Sequence, residues 1–285
     1  MGFGTIKHMI YTPELESSTL ICFARESGID CISVIDARSA VYVATGISAQ
    51  NKEIVAVCLD SSNVSRSAFS GMTEAYYRNL PIVLITYGKK LDYSKELNDV
   101  VNGHYKIHSI DQIESLLGAK LPVHIELQET VEDVPAYDGR KLYQFLRNVL
   151  DSNDYLYVGQ CVNVPNQALS CKVIKGGMPD CLDGAMANLL GASLVKKHKR
   201  YIGLISEEEY IHDMNTLGNI HINDSLMFVV IVRKENAVLE DYAKSLDFTV
   251  CTAREGELSD SFINSLVCNG KKTVLFVLQE KGNKV

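Results

Sequence analysis

Short apolar runs alternate with amphipathic segments along almost the entire chain. The runs 54–59, 82–86, 227–232 and 273–278 have the length of strands and contain few polar residues. Strands that are buried on both faces have this continuous apolar character, because helices cover both sides of a parallel sheet. The alternation therefore predicts an α/β protein in which parallel sheets are wrapped by helices.

The alternation occurs twice and predicts two α/β domains in tandem, residues 1–130 and residues 139–285. Polar residues and Pro135 fill the stretch 129–138, which we interpret as the linker between the domains. In the second half the pattern predicts helices over 139–153, 183–196, 237–246 and 257–267, and strands over 155–158, 201–205, 227–232, 248–251 and 273–278. At 285 residues the chain is long enough for each domain to bury its own core.

Composition argues against several classes of function. The formal net charge is −7 and no basic face is evident, which argues against nucleic acid as a partner. No apolar run reaches the roughly 18 residues needed to cross a bilayer, and the N-terminus lacks the pattern of a signal peptide. The eight cysteines form no CxxC pair, and no Cys/His cluster has the spacing of a zinc site. We therefore expect a cytoplasmic protein with reduced thiols, which binds neither nucleic acid nor membrane.

Residues 201–217 bear most directly on function. An apolar run is followed by Ser206, Glu207, Glu208 and Glu209, and then by a helix-like stretch. We interpret these four residues as an acidic turn between a strand and a helix. Such turns bind anionic ligands in α/β sheets, because free backbone N–H groups and the helix dipole favour negative charge. Three consecutive carboxylates would repel a phosphate, so the turn either holds a metal ion or no longer binds a phosphate.

Five segments, in order along the chain, carry a resemblance to a known family. They are IDARSAVYVATGIS (35–48), EAYYRNLPIVLIT (74–86), LPVHIELQE (121–129), MPDCLDGAMANLLGASLV (178–195) and ISEEEYIHDMNTL (205–217). Together they resemble the superfamily of thiamine-diphosphate-dependent decarboxylases and carboligases. Within it, the similarity is greatest to the carboligases of menaquinone biosynthesis, the 2-succinyl-5-enolpyruvyl-6-hydroxy-3-cyclohexene-1-carboxylate synthases.

The resemblance implies a fold, a cofactor and an assembly. The fold is the thiamine-diphosphate-binding fold, with a pyrimidine-binding-type domain at 1–130 and a diphosphate-binding-type domain at 139–285. The cofactor would be thiamine diphosphate (ThDP) with Mg²⁺, held between the pyrimidine domain of one chain and the diphosphate domain of another. That arrangement implies a homodimer or tetramer with two-fold symmetry. The middle domain of the family has no counterpart between these two.

Several positions depart from the family pattern. Ala37 matches the glutamate that protonates the cofactor, and alanine cannot exchange a proton. Glu207 matches the aspartate that binds the metal and still offers a hard oxygen donor. Lys234 matches the asparagine ligand, and an ammonium group cannot ligate magnesium. The cofactor-binding candidates are Ser62, Asn63, Gly177, Met178, Ser206, Glu207, Glu208, Asp213 and Lys234, with Glu207 as the candidate metal ligand.

Two functions follow from these departures. The first is a non-catalytic paralogue that binds, scaffolds or regulates, with an intact paralogue as a candidate partner. The second is a ThDP-dependent lyase or transferase that decarboxylates a 2-oxo acid or joins an acyl unit to an acceptor. In this atypical cofactor site, water, Asp36 or Glu74 replaces the missing glutamate, and Glu207 retains the metal.

Three residues have an expected structural role as well. Lys234 either takes the place of the metal charge beside Glu207 or forms an ion pair with it that fills the site. Asp36 is expected to cap a helix, and His124 is expected to lie in the core.

Overall fold

The computed structural model describes residues 5–15, 18–60, 64–88, 97–128, 137–176 and 184–279, without the side chains of residues 14 and 64–66. The chain divides into two compact units, Met1–Val134 and Pro135–Val285. Of the stretch interpreted as a linker, only Tyr137 and Asp138 lie within the described residues. These two residues form a short strand, so this end of the stretch is not a linker.

The first unit contains an entirely parallel six-stranded sheet of order β2-β1-β3-β4-β6-β5. Its strands are β1 (His8–Tyr11), β2 (Asp30–Ser33), β3 (Val55–Asp60), β4 (Ile82–Tyr87), β5 (Gly103–Ile107) and β6 (Val123–Leu127). Its described α-helices are α1 (Thr19–Glu26), α2 (Ala37–Asn51), α3 (Val64–Tyr77) and α4 (Ile113–Leu116). Short 3₁₀ helices occur at Pro13–Leu15, Asn98–Val100 and Ile110–Gln112.

Polar residues define where the first helices begin and end. The Asp36 carboxylate accepts the backbone N–H groups of Arg38 and Ser39, both at 3.2 Å, which confirms Asp36 as the N-cap of α2. Lys52 ends the same helix in the left-handed conformation, with φ at 57°. Ser18 caps α1 through its side chain.

Each face of the first sheet carries its own apolar layer. Val83 and Ile85 of β4 pack into one layer, whereas Ile82 and Leu84 pack into the other. This division follows from the two-residue period of a strand. The sheet is therefore buried on both faces, as its continuous apolar runs predict.

The second unit repeats the architecture with a parallel sheet of order β10-β8-β11-β12-β14-β13. Its strands are β8 (Asp154–Val158), β10 (Lys172–Lys175), β11 (Arg200–Ser206), β12 (Leu226–Val232), β13 (Thr249–Arg254) and β14 (Thr273–Leu278), and β7 (Tyr137–Asp138) pairs separately with β9 (Val162–Asn163). Its described α-helices are α5 (Arg140–Val149), α6 (Ala185–Leu194), α7 (Glu207–Asp213), α8 (Ala237–Ser245) and α9 (Asp260–Val267). Short 3₁₀ helices occur at Met214–Gly218 and Glu255–Glu257.

Both large sheets share one topology. When only the strands of each six-stranded sheet are counted in chain order, both have the order 2-1-3-4-6-5. The order reverses between the first and third strands, which are β8 and β11 in the second unit. At such a switch point the connections leave in opposite directions and open a crevice at the carboxyl ends of the strands. The predicted α/β class with two parallel sheets is confirmed.

Some predicted boundaries are wrong for local reasons. The helix predicted over 139–153 ends at Val149, because the Asp151 side chain accepts the N–H of Asn153 and forms a turn instead. The strand predicted over 248–251 continues to Arg254. Among the described residues, none of the helices combines the length and the apolar content needed to span a membrane.

Candidate functional site

The residues predicted as an acidic turn are the end of a strand and the first turn of a helix. Ser206 is the last residue of β11 and the N-cap of α7. Its hydroxyl accepts the Glu209 N–H at 3.2 Å, and the Glu209 carboxylate accepts the Ser206 N–H at 2.9 Å. The prediction of a turn is therefore wrong, because this reciprocal capping box starts the helix directly at the strand end.

Glu209 also contacts the neighbouring strand of the sheet. Its second carboxylate oxygen accepts the backbone N–H of Gln160 at 2.6 Å, in the loop that follows β8. A Cβ atom at Gly159 would overlap this carboxylate, so the close approach requires glycine. Glu209 is 2% exposed, and it joins the carboxyl ends of β8 and β11 at the switch point of the second unit.

Burial and hydrogen bonding act in opposite directions on Glu209. Burial raises the pKa of its carboxyl group, whereas donors on Ser206, Gln160 and Cys161 oppose that rise by stabilising the charged form. The neighbouring Cys161 thiol has its pKa raised to about 12, first by burial and then by the charges of Glu209 and Glu208. Cys161 is consequently a protonated thiol, not a nucleophile, at neutral pH.

Glu208 belongs to a group with Tyr137 and Arg233. The Tyr137 hydroxyl donates to the Glu208 carboxylate at 2.7 Å. The Arg233 guanidinium lies 3.9 Å from the same carboxylate and 4.7 Å from the centre of the Tyr137 ring. Burial, followed by the charge of Glu208, raises the pKa of Tyr137. These contacts hold Glu208 as a hydrogen-bond acceptor inside the unit.

Glu207 and Lys234 do not form the predicted ion pair. Glu207 instead accepts the backbone N–H of Arg233 at 3.3 Å. Burial raises the pKa of Glu207, and this N–H and the charges of Lys234 and then Arg233 oppose the rise. Lys234 is exposed, and the Arg233 guanidinium lies 3.9 Å from Glu208 at the helix start.

The other predicted site residues are structural or lie outside the described residues. Asp213 accepts the N–H of Ala187 at 2.7 Å and the Thr216 hydroxyl at 3.1 Å, so it connects α7 to the first turn of α6. Ala37 is the buried first residue of α2 in the first unit. The candidates outside the described residues are Ser62, Asn63, Gly177 and Met178.

The described residues do not fit a diphosphate and Mg²⁺ bound in the manner of the family. A diphosphate at this edge needs free backbone N–H groups, but those of Ser206 and Gln160 are bonded to Glu209. Magnesium needs oxygen ligands, but the position of the second ligand holds Lys234, whose ammonium group cannot coordinate it, and one oxygen of Glu207 accepts the Arg233 N–H. At this helix start, backbone donors that an anionic ligand would need are therefore already bonded to Glu209.

One feature of this site, the capping box of Glu209, could be anticipated from the sequence, and two contacts could not. The pattern Ser-x-x-Glu at 206–209 is the signature of a capping box, so the role of Glu209 in helix α7 was readable. Its contact with Gln160 depends on the pairing of β8 with β11, and the Tyr137–Arg233 contact depends on the position of β7. Neither has a local signal in the sequence.

Comparisons with known proteins find similarity over part of the chain to one enzyme superfamily. No family model matches the chain. A 2-succinyl-5-enolpyruvyl-6-hydroxy-3-cyclohexene-1-carboxylate synthase of Desulfotalea psychrophila is 30% identical over 82 residues, 28% of this chain and 15% of the relative. The synthases of Christiangramia forsetii and Synechocystis are 28% identical over 88 residues and 29% identical over 82 residues, which are 15% and 14% of those relatives.

These sequence matches relate the chain to the ThDP-dependent superfamily, which confirms the predicted relationship. Within it, the matched relatives are the carboligases that the resemblance indicates. A ThDP-dependent 4-hydroxybenzoylformate decarboxylase of Rhodococcus jostii aligns over 98% of this chain and 97% of its own, with a TM-score of 0.36 and 8% identity. The relationship to the superfamily rests on the sequence matches and not on this structural alignment. The matched segment of the chain spans about 15% of the length of the curated relatives.

Proposed function

We propose that this chain is a ThDP-enzyme relative without standard ThDP and Mg²⁺ chemistry, and that it acts as a binding or structural paralogue. The position of Glu209 carries the proposal. Its carboxylate lies at the switch point of the second unit and accepts the N–H groups of Ser206 and Gln160. An anionic ligand at this edge would need donors of the same kind.

Electrostatics supports the proposal. A diphosphate at the start of α7 would approach Glu207, Glu208 and Glu209, which occupy the first turn. Two like charges at 4 Å repel by about 4 kcal/mol at an effective dielectric constant of about 20. Arg233 is the cationic side chain within 4.0 Å of one of these carboxylates among the described residues, so the negative charge exceeds the positive.

The carboxylates considered as substitutes for the missing glutamate are engaged elsewhere. Asp36 caps α2 through two backbone N–H groups and also accepts the Ser39 hydroxyl at 2.6 Å. Glu74 accepts a hydrogen bond from Arg78 at 2.5 Å, one helical turn away. Both carboxylates thus have other partners in this structure, which supports loss of the activation step.

The proposal includes a homodimer or tetramer in a reducing, cytoplasmic compartment. Tyr42 and Val43 on α2, and Phe69 and Tyr77 on α3, are 38–75% exposed, and apolar side chains on neighbouring helices favour association. All the described cysteines are free thiols, which fits a reducing compartment. Sedimentation velocity of the full chain tests the assembly, and a monomer at micromolar concentration would contradict it.

Calorimetric titration of the full chain with ThDP plus MgCl₂, and with ThDP alone, tests the central proposal. We expect no ThDP binding in either titration. Glu209→Ala should gain affinity for inorganic pyrophosphate, because it frees two backbone donors. Glu114→Ala, which removes an exposed carboxylate of α4 in the first unit, is the matched control. Mg²⁺-dependent ThDP binding with turnover of a 2-oxo acid would contradict the proposal and establish a lyase or transferase instead.

A further inference from the structure

Two histidines and one glutamate come together on the sheet of the first unit. His104 lies on β5, and His124 and Glu126 lie on β6. One ring nitrogen of each histidine and one oxygen of the carboxylate all lie within 4.8 Å of one another. We infer that these three side chains form a binding site for a divalent cation of the zinc class.

The register of two strands creates this group. In the parallel pair of β5 and β6, His104 is the partner of His124, and Lys106 is the partner of Glu126. Residues two apart along a strand point to the same face of the sheet, so all four side chains share one face. The candidate ligands therefore belong to hydrogen-bonded strands, which hold a metal site more rigidly than loops do.

The donor set suits zinc. Two imidazoles and one carboxylate form a known three-ligand zinc set, which leaves a fourth position for water or another small ligand. Ligand bonds of about 2.0–2.1 Å in a tetrahedron place donor atoms about 3.3 Å apart. His104 Nε2 and Glu126 Oε1 are separated by 3.3 Å, so this pair already has the spacing of two tetrahedral ligands.

His124 offers a buried ring nitrogen to a metal ion. The side chain is fully buried, and its Nδ1 has no hydrogen-bond partner among the described residues. Thr86 Oγ1 lies 3.0 Å from its Nε2 and fixes the orientation of the ring.

Lys106 is the group that opposes a cation at this position. Its ammonium nitrogen lies 3.6 Å from Glu126 Oε2, so it competes with a metal for the carboxylate. The Lys106 side chain is 43% exposed and can extend its charge into solvent when a metal binds. Removal of this ammonium group should therefore strengthen metal binding, whereas removal of a ligand should weaken it.

Zinc titration of the chelator-treated full chain, measured by calorimetry, tests the site. We expect one zinc ion per chain. His104→Gln and Glu126→Gln should each weaken binding by at least about 100-fold, which exceeds the cost of losing a hydrogen bond to a ligand. Lys106→Gln should strengthen it several-fold. His221→Gln, at an exposed position of the second unit, is the matched control and should bind as the wild type does.

Two further measurements test whether the variants are misfolded and whether cysteines bind the zinc instead. Circular dichroism and thermal unfolding in EDTA establish that each variant is folded. Excess zinc should then raise the melting temperature of the wild type but not that of His104→Gln, because only the folded site binds the ion. Visible spectra of bound Co²⁺ distinguish nitrogen and oxygen ligands from thiolates. The inference is overturned if the wild type binds no zinc, if His104→Gln and Glu126→Gln bind unchanged, or if the cobalt spectrum shows thiolate ligation.

Discussion

The Glu209 carboxylate accepts the backbone N–H of Gln160 at 2.6 Å, so a single side chain ties the end of β11 to the loop after β8. The same group completes the capping box of α7 through Ser206. A local interaction that starts a helix and a long-range interaction that joins two strands therefore share one carboxylate. The switch point of the second unit is occupied by an anion that belongs to the chain.

Glu209→Gln should destabilise the protein by about 1–3 kcal/mol, the cost of leaving a buried donor unsatisfied. Each carboxylate oxygen accepts a backbone N–H, from Gln160 or from Ser206, so the amide nitrogen of glutamine must face one of these donors. Urea unfolding at pH 7 measures the effect. Glu114→Gln at an exposed position of α4 should change the free energy of unfolding by less than about 0.5 kcal/mol, and equal effects of the two variants would contradict the assigned role.

Gly159→Ala should cost about 1–3 kcal/mol, because the new methyl group overlaps the Glu209 carboxylate. In a background of Glu209→Ala the same substitution should cost much less, so the two changes should be strongly non-additive. Gly191→Ala is the matched control, since a Cβ there meets nothing within 4 Å and the helix should gain up to about 1 kcal/mol. Additive effects of Gly159→Ala and Glu209→Ala would show that the clash is relieved elsewhere.

The sequence predicts most strands of both sheets, because a strand buried on both faces must be apolar throughout. The run LMFVVIV (226–232) forms β12, in which every residue is buried. In contrast β10, with the sequence KVIK, is a half-exposed edge strand, and its charged ends carry no apolar signal. The apolar signal is therefore strong for the central strand β12 and absent from the edge strand β10.

The functional residues also differ in whether the sequence alone can predict their contacts. The capping role of Asp36 is readable because a cap acts on residues two and three positions ahead. The pairing of His104 with His124 is unreadable, because it depends on the register between β5 and β6. Local spacing, which reveals a zinc motif within a loop, contains no information about two histidines that meet across a sheet.

The Cys161 thiol should react slowly with iodoacetamide at pH 8. A pKa of about 12 leaves roughly one thiol in 10,000 ionised at that pH, and only the thiolate is nucleophilic. Its alkylation rate should rise with pH up to about 12, and it should be at least about 100-fold slower at pH 8 than that of the exposed Cys268. Mass spectrometry of timed samples gives both rates in one experiment.

The charge of Glu209 contributes to this suppression. Glu209→Gln should therefore accelerate alkylation of Cys161 and leave that of Cys268 unchanged. Fast labelling of Cys161 in the wild type at pH 8 would contradict the burial of the thiol. Acceleration of both cysteines in the variant would indicate general unfolding instead of a local change in pKa.

Arg200→Met should destabilise the protein by about 3–5 kcal/mol, because it leaves the Asp154 carboxylate charged and buried without its cation. Asp154 is 0% exposed, and two nitrogens of Arg200 bond its two oxygens at 2.6 and 2.5 Å. Arg140 and Asp138 form a comparable pair at the surface, so Arg140→Met should cost far less than Arg200→Met, because solvent screens the exposed pair. Urea unfolding of both variants compares the same chemistry in two environments.

The double variant Asp154→Leu with Arg200→Met distinguishes a stabilising ion pair from a buried charge that merely requires a partner. Replacement of both members removes the unpaired charge, so much of the stability lost in Arg200→Met should return. If the double variant is as unstable as the single one, the pair itself stabilises the amino ends of β8 and β11. If Arg200→Met costs no more than Arg140→Met, water reaches Asp154 and the pair is not buried in solution.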